Sequence, residues 1–196
     1  MNNSPHLRDK VWGVYSTVAE RPQAEHPFAV GREFAEMLGY PAETLNRLPL
    51  ASAEAFTGVS NVAVFADIPA SATVLDLGCG AGLDTLIAAQ RVGPQGKVIG
   101  VDFSEAMLAR ARRSVSEAGL INVELRHADA EALLLEDGSV DIALINGIFN
   151  LNPARDAIFR ELARVVRPGG VVYAAELILR EPLTAVEQNS SDNWFA

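Results

Sequence analysis

This chain carries almost no sulfur for disulfide or metal chemistry. One cysteine, Cys79, stands among 196 residues, which excludes an intrachain disulfide and a cysteine-built structural zinc site. No metal site is expected. Basic residues are also short, with 16 Lys and Arg against 25 Asp and Glu and a net charge of −9. No basic stripe is left to displace counterions, so nucleic acid is not an expected partner. The best basic cluster, Arg110-Ala111-Arg112-Arg113, lies in a helical pattern and reads as a solvated face. No apolar run reaches membrane-span length, and the first residues lack the apolar core of a signal peptide. A cytoplasmic protein with no membrane partner is the expectation. Aromatics are sparse at 7%, yet hydrophobic residues reach 49%, which places the chain among globular proteins. No internal repeat or low-complexity tract is seen.

The order of elements comes next. Residues 1–70 read as an irregular helical cap, with apolar residues at helical spacing over Leu7–Glu20 and again over Pro27–Leu38. Pro41 opens a further short helix through Leu48. From Ser71 the pattern alternates. Strands are expected at Thr73–Leu77, Val98–Val101, Val123–His127, Val140–Ile145 and Val171–Leu179. Helices are expected at Leu83–Val92, from the Ser104 cap to Ala118, and from the Asn152 cap with Pro153 in its first turn. Pro168-Gly169-Gly170 reads as the turn into the last strand. Such alternation predicts an α/β, Rossmann-like, doubly wound parallel sheet over 71–179, followed by a tail at 180–196. Ligands of such sheets bind beyond the C-terminal strand ends.

The chemistry concentrates at those ends. Val74-Leu75-Asp76-Leu77-Gly78-Cys79-Gly80-Ala81-Gly82 is an apolar strand ending in a carboxylate and three alternate glycines. Glycines let the backbone turn sharply and let a ligand lie against bare amides. A second strand ends in Asp102, placed to accept from two ribose hydroxyls. Two ligand classes use this arrangement. A dinucleotide site wants G-x-G-x-x-G, but here Leu83 holds the third glycine's place. Asp76 would repel a pyrophosphate. A ligand with an ammonium and a sulfonium suits that carboxylate, which favours S-adenosyl-L-methionine over NAD. Asp129 and Asn146 also fall at strand ends. Asp129 is placed to accept from an adenine amine, and Asn146 to line the floor under the methionine or the acceptor. Asp84 lies in the first helical turn, where the dipole alone favours a carboxylate.

These segments resemble the class I S-adenosylmethionine-dependent methyltransferases over roughly residues 71–179. The resemblance rests on Asp76–Gly82, Val101-Asp102-Phe103-Ser104 with Met107, Ala128-Asp129-Ala130 and Arg167-Pro168-Gly169-Gly170. It implies methyl transfer from a sulfonium to a small-molecule nucleophile. It also implies that Asp76 and the glycine loop, with Gly78, Cys79, Gly80 and Gly82, hold the methionine end, that Asp102 holds the ribose, and that Asp84, Phe103, Asn146 and Tyr15 are further cofactor-binding candidates. Met107 would pack on adenine, beside Ala128, Asp129 and Ala130. Met107 and Cys79 also suit ordinary core packing.

The pattern is most similar to the arsenite methyltransferase branch. That similarity includes Gly82-Leu83-Asp84, Val92–Asp102, Asn146–Pro153 and, in the N-terminal part, Tyr15 and Leu38-Gly39-Tyr40-Pro41. The branch binds trivalent arsenic through several thiolates, but Gly147 occupies one thiol position and Phe56–Asn61 lacks another. One thiol cannot build a three-thiolate site. The family continues past the fifth strand, whereas this sequence stops at Trp194-Phe195-Ala196. A truncated sheet with an open edge is therefore expected, and with it a homodimer through that edge or the tail. No catalytic residue is assigned. His26, Glu176 and Tyr15 are candidate bases where an acceptor must lose a proton; His6 and His127 read as surface or strand-end residues. The competing reading is a non-catalytic S-adenosylmethionine-binding protein.

Overall fold

The structure, a computed structural model, describes residues 4–178. Its centre is a five-stranded sheet in the order β3-β2-β1-β4-β5. The strands are β1 (Thr73–Leu77), β2 (Lys97–Asp102), β3 (Val123–His127), β4 (Val140–Asn146) and β5 (Val166–Ala175), and every pairing is parallel. The chain starts in the middle of the sheet, works outward to β3, then returns to the other side of β1. That reversal leaves a crevice at the C-terminal ends of β1 and β4.

Successive strand residues face opposite sides, and in the central strands β1, β2 and β4 both sides are buried. Val74, Val98, Ile142 and Leu144 belong to one core. Leu75, Leu77, Ile99, Val101, Ala143 and Ile145 belong to the other. The first core is covered by α6 (Leu83–Val92), with α7 (Glu105–Glu117) at its margin. The second is covered by α8 (Arg155–Val165), through Ile158, Leu162 and Val165. Burial on both sides explains why these strands read as continuous apolar runs. No helix joins β3 to β4. The loop there is pinned from α8 instead. Arg164 donates to the Leu133 and Leu135 carbonyls at 2.9 and 2.7 Å, and Glu161 accepts from the Leu133 amide at 2.7 Å.

The N-terminal region is more broken than its periodicity suggests. It folds as α1 (Ser4–Glu20), α2 (Arg32–Met37), α3 (Ala42–Asn46), α4 (Leu50–Glu54) and α5 (Val62–Phe65). The expected helix from Pro27 to Leu38 begins only at Arg32. Gly31 precedes it at φ 99°, and the Phe28 ring lies tilted beside Tyr15, with ring centroids 5.6 Å apart. Helices α4 and α5 are too short to leave a periodic signal. Tyr40, Leu45, Phe56, Val62 and Ala63 join the same core as Val74 and Leu86.

Three local expectations are corrected. Arg110 is not merely solvated. It donates to the Ala19 carbonyl near the end of α1 and to the Ala51 carbonyl of α4 at 3.2 Å, while Arg112 and Arg113 pair on the surface with Glu105 and Glu117. Helix α8 begins at Arg155, because the Asn152 side chain accepts from the Ala154 amide at 2.7 Å and forms a turn ahead of it. Strand β5 begins before the Pro-Gly-Gly turn. Val166 pairs with Val140 and Val171 with Ile142, so the turn is looped out of the strand. Asp141 holds this loop through Arg167 at 2.5 Å and also accepts from the Thr73 amide at 2.7 Å. The expected tail at 180–196, and Leu179 of the expected last strand, lie outside the described residues.

Leu144 is buried in the centre of the first core. Leu144→Ala is expected to lower folding stability by about 2–5 kcal/mol through lost burial and a residual cavity. Urea unfolding followed by far-ultraviolet circular dichroism measures it.

Candidate functional site

The β1 strand places Leu75 and Leu77 on one face and Asp76 on the other, so Asp76 points toward the start of α6. There its Oδ2 accepts from the Thr85 hydroxyl at 2.5 Å. After Leu77 the backbone turns over Gly78 at φ 77°, where an added Cβ would lie 2.3 Å from the Ile148 side chain. Only glycine satisfies both the dihedral and the contact. The Gly78 and Cys79 amides both donate to the Val101 carbonyl, at 2.8 and 3.0 Å, which fixes the loop to β2.

Asp102 ends β2 and is buried. Its Oδ2 accepts from the Gly80 amide and its Oδ1 from the Ser104 amide, each at 2.8 Å. One carboxylate thus joins the glycine loop to the cap of α7. Each oxygen keeps acceptor capacity for a ligand. At Gly80 an added Cβ would meet no atom within 4 Å, so the loop presents bare backbone to open space.

A cavity of about 1100 Å³, including its open mouth, lies over these groups. Tyr15, Asp76, Gly78, Cys79, Gly80, Asp84, Asp102, Phe103, Ala128, Asp129, Ala130 and Asn146 all line it. Two expected residues do not. Met107 is buried among Val18, Ala19, Ala55 and Ala81, because its side of α7 packs against the N-terminal helices. Gly82 caps α6, where an added Cβ would lie 3.2 Å from the Ala111 side chain; its role there is close helix packing. Nor do His26 and Glu176 line the cavity. His26 contacts the Arg21 carbonyl through Nε2 at 3.0 Å. Glu176 accepts from the Phe149 amide at 2.6 Å and the Leu177 amide at 3.0 Å.

Asn146 and Asp84 line the cavity but spend their polar atoms on the protein. Asn146 Oδ1 accepts from the Val59 and Ser60 amides at 2.8 and 3.0 Å. Its Nδ2 donates to the Ser60 carbonyl at 2.7 Å and to Asp84 Oδ2 at 2.8 Å. Asp84 Oδ1 accepts from the Tyr40 hydroxyl at 2.7 Å and the Ala63 amide at 3.3 Å. The junction ties β4, α6 and the N-terminal region together. Sequence reasoning gave Thr85 and Tyr40 no role in such contacts. Thr85 lies nine residues from its partner and Tyr40 lies 44 from Asp84, separations that leave no local pattern.

Burial governs the electrostatics. It pushes the Asp76 carboxyl up to about 8, helped by the Asp84 charge and opposed by the Thr85 hydrogen bond. Burial also raises Asp84, against the hydrogen bonds from Tyr40 and Asn146, and raises Asp102, against the Ser104 and Gly80 amides. The Cys79 thiol is raised by burial and by Asp102, so it is no nucleophile here. Tyr15 is held neutral by burial and by the charges of Asp102 and Glu176. Such a cavity favours a ligand carrying positive charge. Its donor set and open glycine backbone fit S-adenosylmethionine: carboxylate for ribose and ammonium, and bare amides for the methionine end.

Comparison with known proteins agrees. Residues 68–194 match the methyltransferase domain family, and the chain belongs to it. It is a class I S-adenosylmethionine-dependent methyltransferase domain, with S-adenosylmethionine as its cofactor. An arsenite methyltransferase of Halobacterium salinarum is 37% identical over 159 residues, 81% of this chain and 40% of that protein. A demethylmenaquinone methyltransferase of Shouchella clausii is 40% identical over 111 residues, 56% of this chain and 47% of that protein. The chain thus spans less than half the length of these two relatives. An arsenic(III) S-adenosylmethionine methyltransferase from Chlamydomonas reinhardtii has a similar structure, with a TM-score of 0.63 and 27% identity, over 83% of this chain and 54% of that one. Among the described residues no helix is long and apolar enough to cross a membrane.

Asn146→Ala leaves half-buried amides at Val59 and Ser60 unpaired and strips a donor from Asp84. A stability loss of about 2–4 kcal/mol is expected. Faster cleavage within residues 57–61 in limited proteolysis, well below the unfolding midpoint, would locate the damage at this junction.

Proposed function

We propose that this chain transfers the methyl group of S-adenosylmethionine to a small-molecule acceptor. The observation that carries the proposal is Asp102, fixed by the Gly80 and Ser104 amides with acceptor capacity left toward the cavity. In this reading Asp102 holds the ribose hydroxyls. The Gly78–Gly80 backbone and Asp76 receive the methionine end, and Asp84, its oxygens held by Tyr40, Ala63 and Asn146, contributes its charge alone. Phe103 and Ala128-Asp129-Ala130 border the adenine. Bound there, the cofactor supplies a methyl group on a sulfonium, which an acceptor's lone pair takes while the carbon–sulfur pair stays on sulfur. The chain's own part is orientation and exclusion of water. A dinucleotide fits poorly, because its pyrophosphate would face Asp76 and Asp84 at the start of α6.

Arsenite or arsenic(III) is named for several of the similar proteins, but its binding needs soft thiolates, and Cys79 is the chain's one cysteine. An added Cβ at Gly100 would lie 3.1 Å from Cys79 Sγ, so this sulfur packs against the sheet. Arsenite is therefore not the acceptor proposed here. A cytoplasmic location and self-association along the outer edge of β5 complete the proposal; light scattering tests the latter, and a monomer contradicts it.

Calorimetric titration with S-adenosylmethionine, S-adenosylhomocysteine and NAD tests the site. Both sulfur nucleosides are expected to bind, and Asp102→Ala to weaken them by about tenfold or more. NAD binding, or no binding of either nucleoside, would sink the proposal. Binding without formation of S-adenosylhomocysteine, across a panel of acceptors, would leave a binding protein instead.

The Asp76 carboxyl gives a second prediction. A cation beside it favours its ionised form, so binding releases a proton while pH stays below about 8. Affinity for S-adenosylmethionine is expected to climb with pH toward 8, by at most about tenfold per unit, and then level off. Stability of the free protein runs the other way. The folded state keeps a proton that the unfolded chain loses above its ordinary carboxyl pKa, so stability falls as pH rises toward 8. Asp76→Asn should flatten both profiles.

A further inference from the structure

A second cavity opens beside the first and shares Tyr15, Thr57, Gly58, Gly147 and Leu151 with it. It encloses about 730 Å³ including its mouth. Beyond the shared residues its walls are mainly Phe28, Phe34, Leu38, Val59 and Leu177. The aromatic walls lie beside further rings. The Phe28 ring lies 5.6 Å from Tyr15 and the Phe34 ring 6.2 Å from Phe56.

The chemistry of the lining narrows the occupant. No charged side chain and no sulfur lines this cavity among the described residues. A charged molecule would lose its hydration and gain no counter-charge. A thiophilic metalloid would find no thiolate. At Gly147 an added Cβ would lie 2.9 Å from Val59, so the valine fills the space a side chain there would need. At the junction of the two cavities Tyr15 and Thr57 border both, and Asn150 adds one more polar side chain to this lining, its Oδ1 buried without a hydrogen-bond partner. Tyr15 stays a neutral phenol there, able to donate or accept a hydrogen bond.

We propose that this second cavity is the acceptor subsite and takes an uncharged, largely apolar aryl molecule, its nucleophilic heteroatom set beside Tyr15 and Thr57. The proposal rests on the methyltransferase reading of the first cavity. Phe28 and Phe34 supply the ring-stacking walls and Leu38, Val59 and Leu177 the aliphatic ones. The heteroatom then lies on the side from which the cofactor cavity opens.

The test uses 2-naphthol as ligand, titrated by fluorescence with and without saturating S-adenosylhomocysteine, beside arsenite and ethanolamine in calorimetry. The expected result is saturable 2-naphthol binding and none for the other two. Ala29 is an exposed residue of the same lining, so Ala29→Phe fills the cavity without touching the core. Leu177→Asp places a charge at a half-exposed wall position. Each is expected to weaken 2-naphthol about tenfold or more while S-adenosylhomocysteine affinity and melting temperature stay unchanged. Unaltered 2-naphthol binding in both variants, or tighter binding of arsenite or ethanolamine, would overturn the assignment. Loss of S-adenosylhomocysteine binding in the unsubstituted protein is a separate failure and strikes the first cavity's reading.

Discussion

The arrangement at the strand tips depends on one buried junction between an amide and a carboxylate. Asn146 reaches from the end of β4 to the Val59–Ser60 backbone on one side and to Asp84 on the other. Asp84 passes the connection on to Tyr40 and Ala63. Every bond in this set is short enough to count, and the groups are largely removed from water. Hydrogen bonds to a buried charge contribute more than neutral ones, about 1.5–3 kcal/mol each. Leaving one unmade costs its full desolvation. The junction therefore tolerates few alternatives, and it fixes where the N-terminal segment sits over the glycine loop. The cavity exists because that segment is held off the loop and not collapsed onto it.

A chain shaped for stability alone would not bury Asp76, Asp84 and Asp102 at one end of a sheet. Burial raises the proton affinity of all three, at Asp76 with the Asp84 and Asp102 charges adding to it, and works against folding. The cost is contained locally. Asp76 leans on Thr85, Asp84 on Tyr40 and Asn146, and Asp102 on two backbone amides. Such a cluster lowers the energy of a bound cation, which is where the stored repulsion is released. The neighbouring cavity shows the opposite policy, with no charge among its described lining residues. Two adjacent spaces of contrasting polarity suit one charged and one uncharged ligand meeting at their boundary.

The sheet and its carboxylates were legible because their signals are local. β1, β3 and α6 fall on the expected residues, since each is bounded by a turn and carries apolar residues at the spacing of its element. Asp102 was legible from its place at the end of a strand. Met107 was misleading. Its position in the first turns of α7 is compatible with a side chain toward adenine, and only the packing of α1 and α4 against that helix decides otherwise. The Thr85 and Tyr40 contacts were invisible for a related reason, because a hydrogen bond across 44 residues depends on the whole fold. The start of β5 was misread because Pro168-Gly169-Gly170 signals a turn equally well whether it precedes a strand or interrupts one.

Tyr40, Leu45, Phe56 and Val62 share one core with Val74, Val98 and Leu144, so on that face of the sheet residues that precede the first strand share the apolar cover with α6. The N-terminal region is therefore structural wall as much as roof. A cut near residue 70 would not uncover a self-sufficient nucleotide-binding unit. It would bare an apolar face of the sheet and of α6 together, and the separated piece would be driven to aggregate or to borrow the missing segment from another copy. Exchange of acceptor specificity among related chains by swapping this region would for the same reason have to carry its core residues along with those that line the cavity.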